Sequence, residues 1–219
     1  PANAFPTLID AVLVATPEHS HYAISVYAIR RGKHVYCQKP LTRSIFEARM
    51  MARAAKHYNV QTQMGNQAHA GEPIRRAVEW VRAGVIGPVH EAHFWTNRPI
   101  WPQGVNRPED TPPVPETLDW DLWLGVAPER PYAAGYHPFK WRGWWDFSSG
   151  LIGDWAPHTL YSANYALELG APEAVESACA EDSTNGYRIP NWSHTILYYP
   201  ARGKKVPMKL HWYTGGKRP

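Results

Sequence analysis

Three polar clusters each follow a short apolar segment in the first third of the chain. They are Ala15-Thr16-Pro17-Glu18-His19, Gln38-Lys39-Pro40 and Gly65-Asn66-Gln67. Ligands of a parallel α/β sheet bind beyond the carboxyl ends of its strands, so three such clusters indicate a binding site. Lys39 is the most informative residue, because Pro40 restricts its backbone and its ammonium could stabilise a developing alkoxide or phosphate. The alternative is that proline and glycine only mark turns.

Asp154 and His158 form a second candidate constellation. Their four-residue spacing places both side chains on one face of a helix. A carboxylate beside an imidazole can orient the ring and raise its basicity, as general acid–base catalysis near neutral pH requires. An ordinary surface ion pair has the same spacing. Pro157 predicts in addition that a helix begins near Ala156 or is kinked there.

Aromatic and basic residues in the middle of the chain suit a carbohydrate ligand. Eight of the 11 tryptophans lie between residues 95 and 155, and the segment 97–138 carries nine prolines, which is typical of a binding loop. The faces of Trp101 and Trp141 could stack on a sugar ring, and Arg98 and Arg142 could hold its hydroxyls or a phosphate. The same tryptophans could instead be core, with the arginines stacked on them.

Hydrophobic periodicity predicts the elements that position these residues. The first part alternates strand, helix, strand, helix, strand over 9–15, 20–31, 34–38, 44–57 and 60–64, which favours a right-handed parallel sheet. In the second of these helices, capped by Thr42 or Ser44, the expected buried residues are Phe46, Met50, Met51, Ala54 and Ala55. On the first helix the expected face is Ala23, Ile24, Tyr27 and Ala28.

The rest of the chain has a different pattern. A helix over 72–83, a strand over 88–96, a helix over 151–169 and strands over 174–182, 193–200 and 205–214 are predicted, the last three antiparallel. The predicted fold class is therefore α/β, with a partial parallel sheet in residues 1–68. An α+β domain with a largely antiparallel, incomplete sheet is expected over 69–219.

Composition excludes several classes of function. The chain has 219 residues, 44% hydrophobic, and its 23 basic and 19 acidic side chains are scattered, so no nucleic-acid partner is expected. No apolar run approaches the roughly 18 residues of a membrane span. Two cysteines make no disulfide framework. No metal is expected, because no three-ligand pattern occurs and the spacing of His90 and His93 puts them on opposite faces of a strand.

Several motifs in order resemble the Gfo/Idh/MocA (glucose–fructose oxidoreductase/inositol dehydrogenase) superfamily. The resemblance is carried by segments 14–21, 32–41, 65–67, 83–87, 97–104 and 141–147, and by Asp154 with His158. The family hallmark is Glu-Lys-Pro, and Gln38 stands here in place of the glutamate. The resemblance implies that residues 1–68 are the later half of a Rossmann domain. The glycine-rich turn and acidic ribose-binding residue would precede Pro1, so the chain is expected to be a piece of a longer protein.

The resemblance also implies an NAD- or NADP-dependent enzyme that oxidises a hydroxyl of a sugar, cyclitol or sugar derivative. Lys39 would hydrogen-bond the reacting hydroxyl, His158 would accept its proton, and Asp154 would hold the substrate or His158. Lys39 would also contact the cofactor, together with Thr16, Pro17, His19, Gln38 and Asn66. The substrate residues would be Arg98, Trp101, Trp141 and Arg142.

Two alternatives share this site. One is an NAD-dependent enzyme that cleaves glycosides by transient oxidation and elimination, and the other is a non-catalytic sugar-binding subunit. Self-association through the C-terminal sheet is expected. A cytoplasmic location is expected unless an export signal precedes the chain.

Overall fold

The structure is a computed structural model that describes residues 8–67, 69–181 and 186–219. Its elements are β1 (Ala11–Val14), α1 (Glu18–Ile29), β2 (His34–Gln38), α2 (Ile45–His57), β3 (Thr62–Gly65), α3 (Glu72–Arg82), β4 (Glu91–Trp95), α4 (Trp120–Leu124), α5 (Gly150–Asp154), α6 (Ala156–Leu167), β5 (Ala174–Cys179), β6 (Ser193–Tyr199) and β7 (Met208–Tyr213). One turn of 3₁₀ helix, Lys140–Gly143, precedes α5. Among the described residues, every helix is too short or too polar to cross a membrane.

The first sheet confirms the predicted parallel arrangement. Its three strands lie in the order β1-β2-β3, and both neighbouring pairs are parallel. The helices α1 and α2 connect these parallel strands and contact each other. Apolar residues of these elements form one core, whose buried members are Val14, Val26, Ala28, Ile29, Val35, Cys37, Met51 and Val60. The carboxyl ends of β1, β2 and β3 therefore share one edge.

Capping residues in the sequence predicted the start of α2 correctly, whereas hydrophobic periodicity predicted the buried faces of α1 and α2 less well. Ser44 is the N-cap of α2, and it forms a reciprocal capping box with Glu47. The expected burial of Phe46 is wrong, because its side chain is 69% exposed while Met51 is buried. On α1, Ile24 and Tyr27 are likewise exposed. Apolar residues occur on several sides of α1, so periodicity alone did not identify the side that packs on the sheet.

The second sheet has four strands in the order β4-β7-β6-β5. The predicted antiparallel pairings of β5 with β6 and β6 with β7 are confirmed, whereas β4 pairs with β7 in parallel. One face carries a core with α6, and its buried members are Ala163, Leu169, Tyr199, Met208 and Leu210. The opposite face carries a row of histidine and tyrosine side chains. The predicted end of β5 at residue 182 lies outside the described residues.

The tryptophan-rich middle is largely an aromatic core. Buried members of this core are Trp120, Leu124, Ala133, Tyr136, Trp141, Trp144 and Phe147. The segment 97–138 is thus anchored by packing and by the short helix α4, and the core interpretation of these tryptophans accounts for most of them. The two sheets fall on either side of the expected domain boundary. Ala68, at that boundary, lies outside the described residues, and the division itself stays a prediction.

Candidate active site

A cavity of about 210 Å³ lies where the carboxyl ends of β1 and β2 meet the end of α5. Its lining is mostly polar and comprises Ala15, Thr16, Glu18, His21, Gln38, Lys39, Gln67, Trp141, Arg142 and Asp154. All three polar clusters that follow the strands contribute a residue, so the structure brings them together as predicted. The second part of the chain closes the cavity with the 3₁₀ turn and α5.

Lys39 and Asp154 are the charged centre of this cavity. The Lys39 ammonium donates to Oδ1 of Asp154 and also to its backbone carbonyl, at 2.8 Å. The Asp154 side chain is 6% exposed and that of Lys39 is 20% exposed. Arg142 brings a second cation, with Nε 4.0 Å from Oδ2 of Asp154. A buried carboxylate is tolerated when cations and hydrogen bonds compensate it, and Asp154 has both.

A break between α5 and α6 makes the Asp154 carbonyl available to Lys39. The predicted single helix over 151–169 is wrong, because α5 ends at Asp154 and α6 begins at Ala156. In a continuous helix the His158 N–H would donate to the Asp154 carbonyl, but here it donates to Trp155 at 3.0 Å. Pro157 has no N–H and favours the first turn of a helix, as the sequence predicted.

Asp154 and His158 have different partners on the two sides of this break. The two were expected to face the same way, but the carboxylate points to Lys39, and the hydrogen bonds of the described residues include none between Asp154 and His158. The His158 ring packs against Trp155, at 5.7 Å between ring centroids, and lies 6.4 Å from the His69 ring. Partial burial, then the Lys39 and His69 charges, lower the pKa of His158, although Asp154 opposes them. The ring is therefore neutral near pH 7 and can accept a proton.

Glu18 is a functional candidate to which the sequence analysis assigned no role. Its buried carboxyl accepts hydrogen bonds from the Ser149 N–H at 2.6 Å, the Ser149 hydroxyl at 2.5 Å and the Ser148 hydroxyl at 3.1 Å. Burial raises the pKa of Glu18 to about 7, and the nearby Asp154 adds to this effect against the serine hydrogen bonds. Ser149 precedes α5, so Glu18 fixes the helix that carries Asp154. The sequence did contain one indication of this role, because Glu18 is an acidic residue in the first turn of α1, directly after Thr16-Pro17.

The residues expected to hold a cofactor lie in different places in the structure. Thr16, Gln38 and Lys39 line the cavity, and Pro17 is the N-cap residue of α1. Asn66 lines a neighbouring cavity of about 740 Å³, and its buried side-chain oxygen has no hydrogen-bond partner. The side-chain hydroxyl of Thr16 and the amides of Gln38 and Asn66 could form hydrogen bonds with the carboxamide or ribose of a nicotinamide cofactor. The Asn66 oxygen is free to accept one of them.

His19 does not belong to this group. Its buried ring lies between Trp123 and Phe147, with Nε2 3.0 Å from the Trp123 carbonyl. It joins α1 to the aromatic core instead of lining the cavity.

The expected substrate residues are also divided. Trp141 and Arg142 line the cavity, with the Arg142 guanidinium 4.2 Å from the Trp141 ring centroid. Trp101 is buried behind Arg142, and its indole N–H donates to Gln103 at 3.1 Å. The Arg98 guanidinium lies 4.9 Å from the centroid of Trp155, beside the break between α5 and α6.

Comparison with known families gives two matches along the chain. Residues 3–66 match the sequence profile of the Gfo/Idh/MocA oxidoreductase family, NAD-binding Rossmann fold. Residues 90–208 match the profile of that family's C-terminal alpha/beta domain.

Similar proteins agree with these matches. Levoglucosan dehydrogenase of Pseudarthrobacter phenanthrenivorans is 27% identical over 170 residues, which cover 77% of this chain and 36% of the relative. The 2,7-anhydro-N-acetylneuraminate hydratase of Escherichia coli is 32% identical over 94 residues, 43% of this chain and 25% of the relative. An inositol dehydrogenase homolog from Azotobacter vinelandii, solved with NADH and myo-inositol, superposes with a TM-score of 0.60 at 17% identity, covering 94% of this chain and 45% of that one. The chain thus spans less than half the length of each of these proteins.

Proposed function

The chain belongs to the Gfo/Idh/MocA family of oxidoreductases, and from that premise we propose that it oxidises a hydroxyl of a sugar, cyclitol or sugar derivative with NAD or NADP. One observation carries the proposal. The Lys39 ammonium is held by buried Asp154 in a polar cavity at the ends of parallel strands, with the neutral ring of His158 nearby. The printed names of relatives, among them levoglucosan dehydrogenase, support this substrate class.

Lys39 and His158 have complementary roles in the proposed reaction. An ammonium has three hydrogens, and Asp154 accepts two of those of Lys39, through its carboxylate and its carbonyl. The third can donate to the substrate hydroxyl and stabilise the alkoxide that develops on its oxygen. His158 accepts the hydroxyl proton as a general base. A nicotinamide bound at the strand ends would supply the hydride acceptor.

Other residues of the cavity would bind and orient. Thr16, Gln38 and Asn66 are proposed to hydrogen-bond the cofactor, and Arg142 with Trp141 to bind the substrate beside Asp154. Asp154 is proposed as the residue that positions Lys39, which revises its expected contact with His158. A cytoplasmic location and self-association through the second sheet stay predictions.

A second candidate function shares the first chemical step. The Escherichia coli relative is named a hydratase, and hydration yields no net oxidation. In that case a hydroxyl of a glycoside would be oxidised to a ketone by hydride transfer to bound nicotinamide. The carbon beside the ketone would lose a proton and the neighbouring carbon would lose the glycosidic alkoxy group as an alcohol, water would add to the resulting double bond, and the reduced nicotinamide would return the hydride to the ketone. Net accumulation of reduced nicotinamide distinguishes the dehydrogenase, and release of free sugar without such accumulation indicates the glycoside-cleaving enzyme.

The first experiment measures net oxidation. The complete, full-length protein is purified and mixed with NAD or NADP and a panel of free sugars, cyclitols and glycosides, and nicotinamide absorbance and free sugar are followed. The proposal expects a steady rise in absorbance with at least one substrate. If neither signal appears while a sugar still binds, the protein is a non-catalytic sugar-binding subunit.

Variants then test the assigned residues. Lys39→Ala and His158→Ala are each expected to lower turnover by on the order of 10²-fold or more. Asp154→Asn is expected to lower kcat more than it raises KM, because it misplaces Lys39 without removing substrate contacts. Lys56→Ala, on the exposed side of α2, is the matched control and leaves turnover unchanged. Turnover that survives both alanine variants would show that the catalytic site lies elsewhere.

A further inference from the structure

The outer face of the second sheet brings together Glu91, His93 and His211. Glu91 and His93 are two residues apart on β4, so they share a face, and the parallel register places His93 beside His211 of β7. Oε1 of Glu91 lies 2.9 Å from Nε2 of His93 and 3.1 Å from Nε2 of His211. One side-chain ligand atom from each residue lies within 4.8 Å of the other two. None of these residues lines the cavity around Lys39.

Neighbouring side chains fix both imidazole rings. Nδ1 of His93 lies 3.0 Å from the Tyr213 hydroxyl, and Nδ1 of His211 lies 3.0 Å from Nε2 of His194. A metal-binding histidine usually donates its second ring N–H to such a partner, which leaves the first nitrogen as the ligand. Nε2 of His211 is buried and makes no hydrogen bond, although it points to the Glu91 carboxylate. Nε2 of His211 therefore has an ion-pair contact with Glu91 that lacks hydrogen-bond geometry, at a position where a cation could bind both groups.

We propose that Glu91, His93 and His211 bind a divalent transition metal ion, with Zn²⁺ as the best fit. Two imidazole nitrogens and one carboxylate oxygen are a common ligand set for Zn²⁺, whereas Ca²⁺ and Mg²⁺ select oxygen ligands. Tetrahedral bonds of about 2.0–2.1 Å separate ligand atoms by roughly 3.3 Å. The observed 2.9 and 3.1 Å are only a few tenths of an ångström shorter. The His93 and His211 rings are stacked with centroids 4.6 Å apart and their ligand atoms within 4.8 Å of each other, so both rings must rotate to bring the two nitrogens towards one ion.

The fourth ligand position opens to solvent. The Glu91 side chain is 51% exposed and that of His93 is 31% exposed, whereas that of His211 is 11% exposed. A water molecule, or a ligand from another molecule, can thus complete the coordination. The site would join β4 to β7 at the parallel pair of the sheet and so brace the two strands.

Metal titration tests the proposal directly. The protein, without an affinity tag and after treatment with a chelator, is titrated with Zn²⁺ in competition with a chromophoric chelator. We expect one ion per chain. His93→Gln and His211→Gln are each expected to weaken binding by at least about 100-fold, because each removes a direct ligand. His90→Gln, which changes an exposed histidine just before β4, is the matched control and changes binding less than about twofold.

Further measurements separate this site from scattered surface histidines and from the cavity. Co²⁺ substitution is expected to give the intense visible absorption of a four-coordinate site, and this signal is expected to disappear in His93→Gln. That variant removes a partly exposed side chain, so it keeps the test valid if His211→Gln fails to fold. Lys39→Ala is expected to bind Zn²⁺ normally. Absence of binding, or binding that neither histidine variant weakens, would overturn the proposal.

Discussion

Replacing Glu18 by glutamine is expected to flatten the pH dependence of stability. Among the described residues, the buried carboxyl of Glu18 accepts hydrogen bonds from hydroxyl and amide donors of Ser148 and Ser149 and from no cation. The protonated carboxyl keeps the same contacts, because its hydroxyl can donate to Ser148 while its carbonyl accepts from Ser149. Glutamine has the shape of this neutral form, with the amide group in place of the hydroxyl. The substitution therefore preserves the network and removes the titration.

The magnitude follows from the pKa. Burial raises the pKa of Glu18 from 4.5 to about 7, a difference of about 2.5 pH units. At 1.36 kcal/mol per unit, this corresponds to a free energy on the order of 3 kcal/mol. Between pH 4.5 and 7 the folded state holds a proton that the unfolded state has lost, so the contribution of Glu18 is fully present below pH 4.5 and falls as pH rises to 7.

Urea unfolding of both proteins at several pH values between 4.5 and 8 measures this contribution. The free energy of unfolding of Glu18→Gln minus that of the native protein is expected to rise by on the order of 3 kcal/mol as pH increases from 4.5 through about 7, and to level off towards pH 8. Glu116→Gln, which changes an exposed carboxyl, is the control and runs parallel to the native protein. Parallel curves for Glu18→Gln as well would show that Glu18 does not titrate differently in the folded state.

Three further predictions concern local structure and the site. Ser44→Ala removes the N-cap of α2 and is expected to lower the free energy of unfolding by about 1 kcal/mol in urea titrations. Gly215→Ala is expected to lower the free energy of unfolding by at least about 3 kcal/mol, because Gly215 has a positive φ and the new Cβ would lie 2.1 Å from a backbone oxygen. Gly216 also has a positive φ but has open space around it, so Gly216→Ala is expected to lower the free energy of unfolding by about 1 kcal/mol. The His158 ring is expected to titrate below its usual pKa of 6.5 in NMR spectra, and Lys39→Ala to move that pKa upward, because it removes a neighbouring positive charge. An unchanged His158 titration in Lys39→Ala would contradict their proximity.

Signals within short segments predicted much of this molecule. The alternation of apolar strands and helices predicted the parallel sheet, and the polar residues after each strand predicted the cavity edge that contains Lys39. Pro157 predicted either a helix that begins near Ala156 or a kink there, and the structure has the first of these. Each of these features depends on backbone preferences or periodicity over a few residues, which a single sequence carries.

Contacts between distant segments could not be predicted in the same way. Glu18 meets Ser149 across 131 residues of chain, and its unusual pKa results from burial that no local pattern records. The cluster of Glu91, His93 and His211 also depends on contacts between distant segments, because His93 and His211 become neighbours only when β4 and β7 pair in parallel. The spacing of His93 from His90 carried no information about this partner.

The two carboxyl groups at the cavity, of Asp154 and Glu18, show how contacts between distant segments affect the charge that a side chain carries. Asp154 is paired with Lys39 and approached by Arg142, whereas Glu18 has only serine partners. Cations offset the burial of a carboxylate far better than neutral donors do, so burial raises the pKa of Glu18 to about 7 and its carboxyl holds a proton in a large share of the molecules near neutral pH. Protonation of Glu18 removes a negative charge from the cavity that Lys39 also lines, which leaves more of the Lys39 positive charge for a substrate oxygen. The distribution of cations around the two acids, more than the presence of either acid, makes this cavity suited to stabilising an alkoxide.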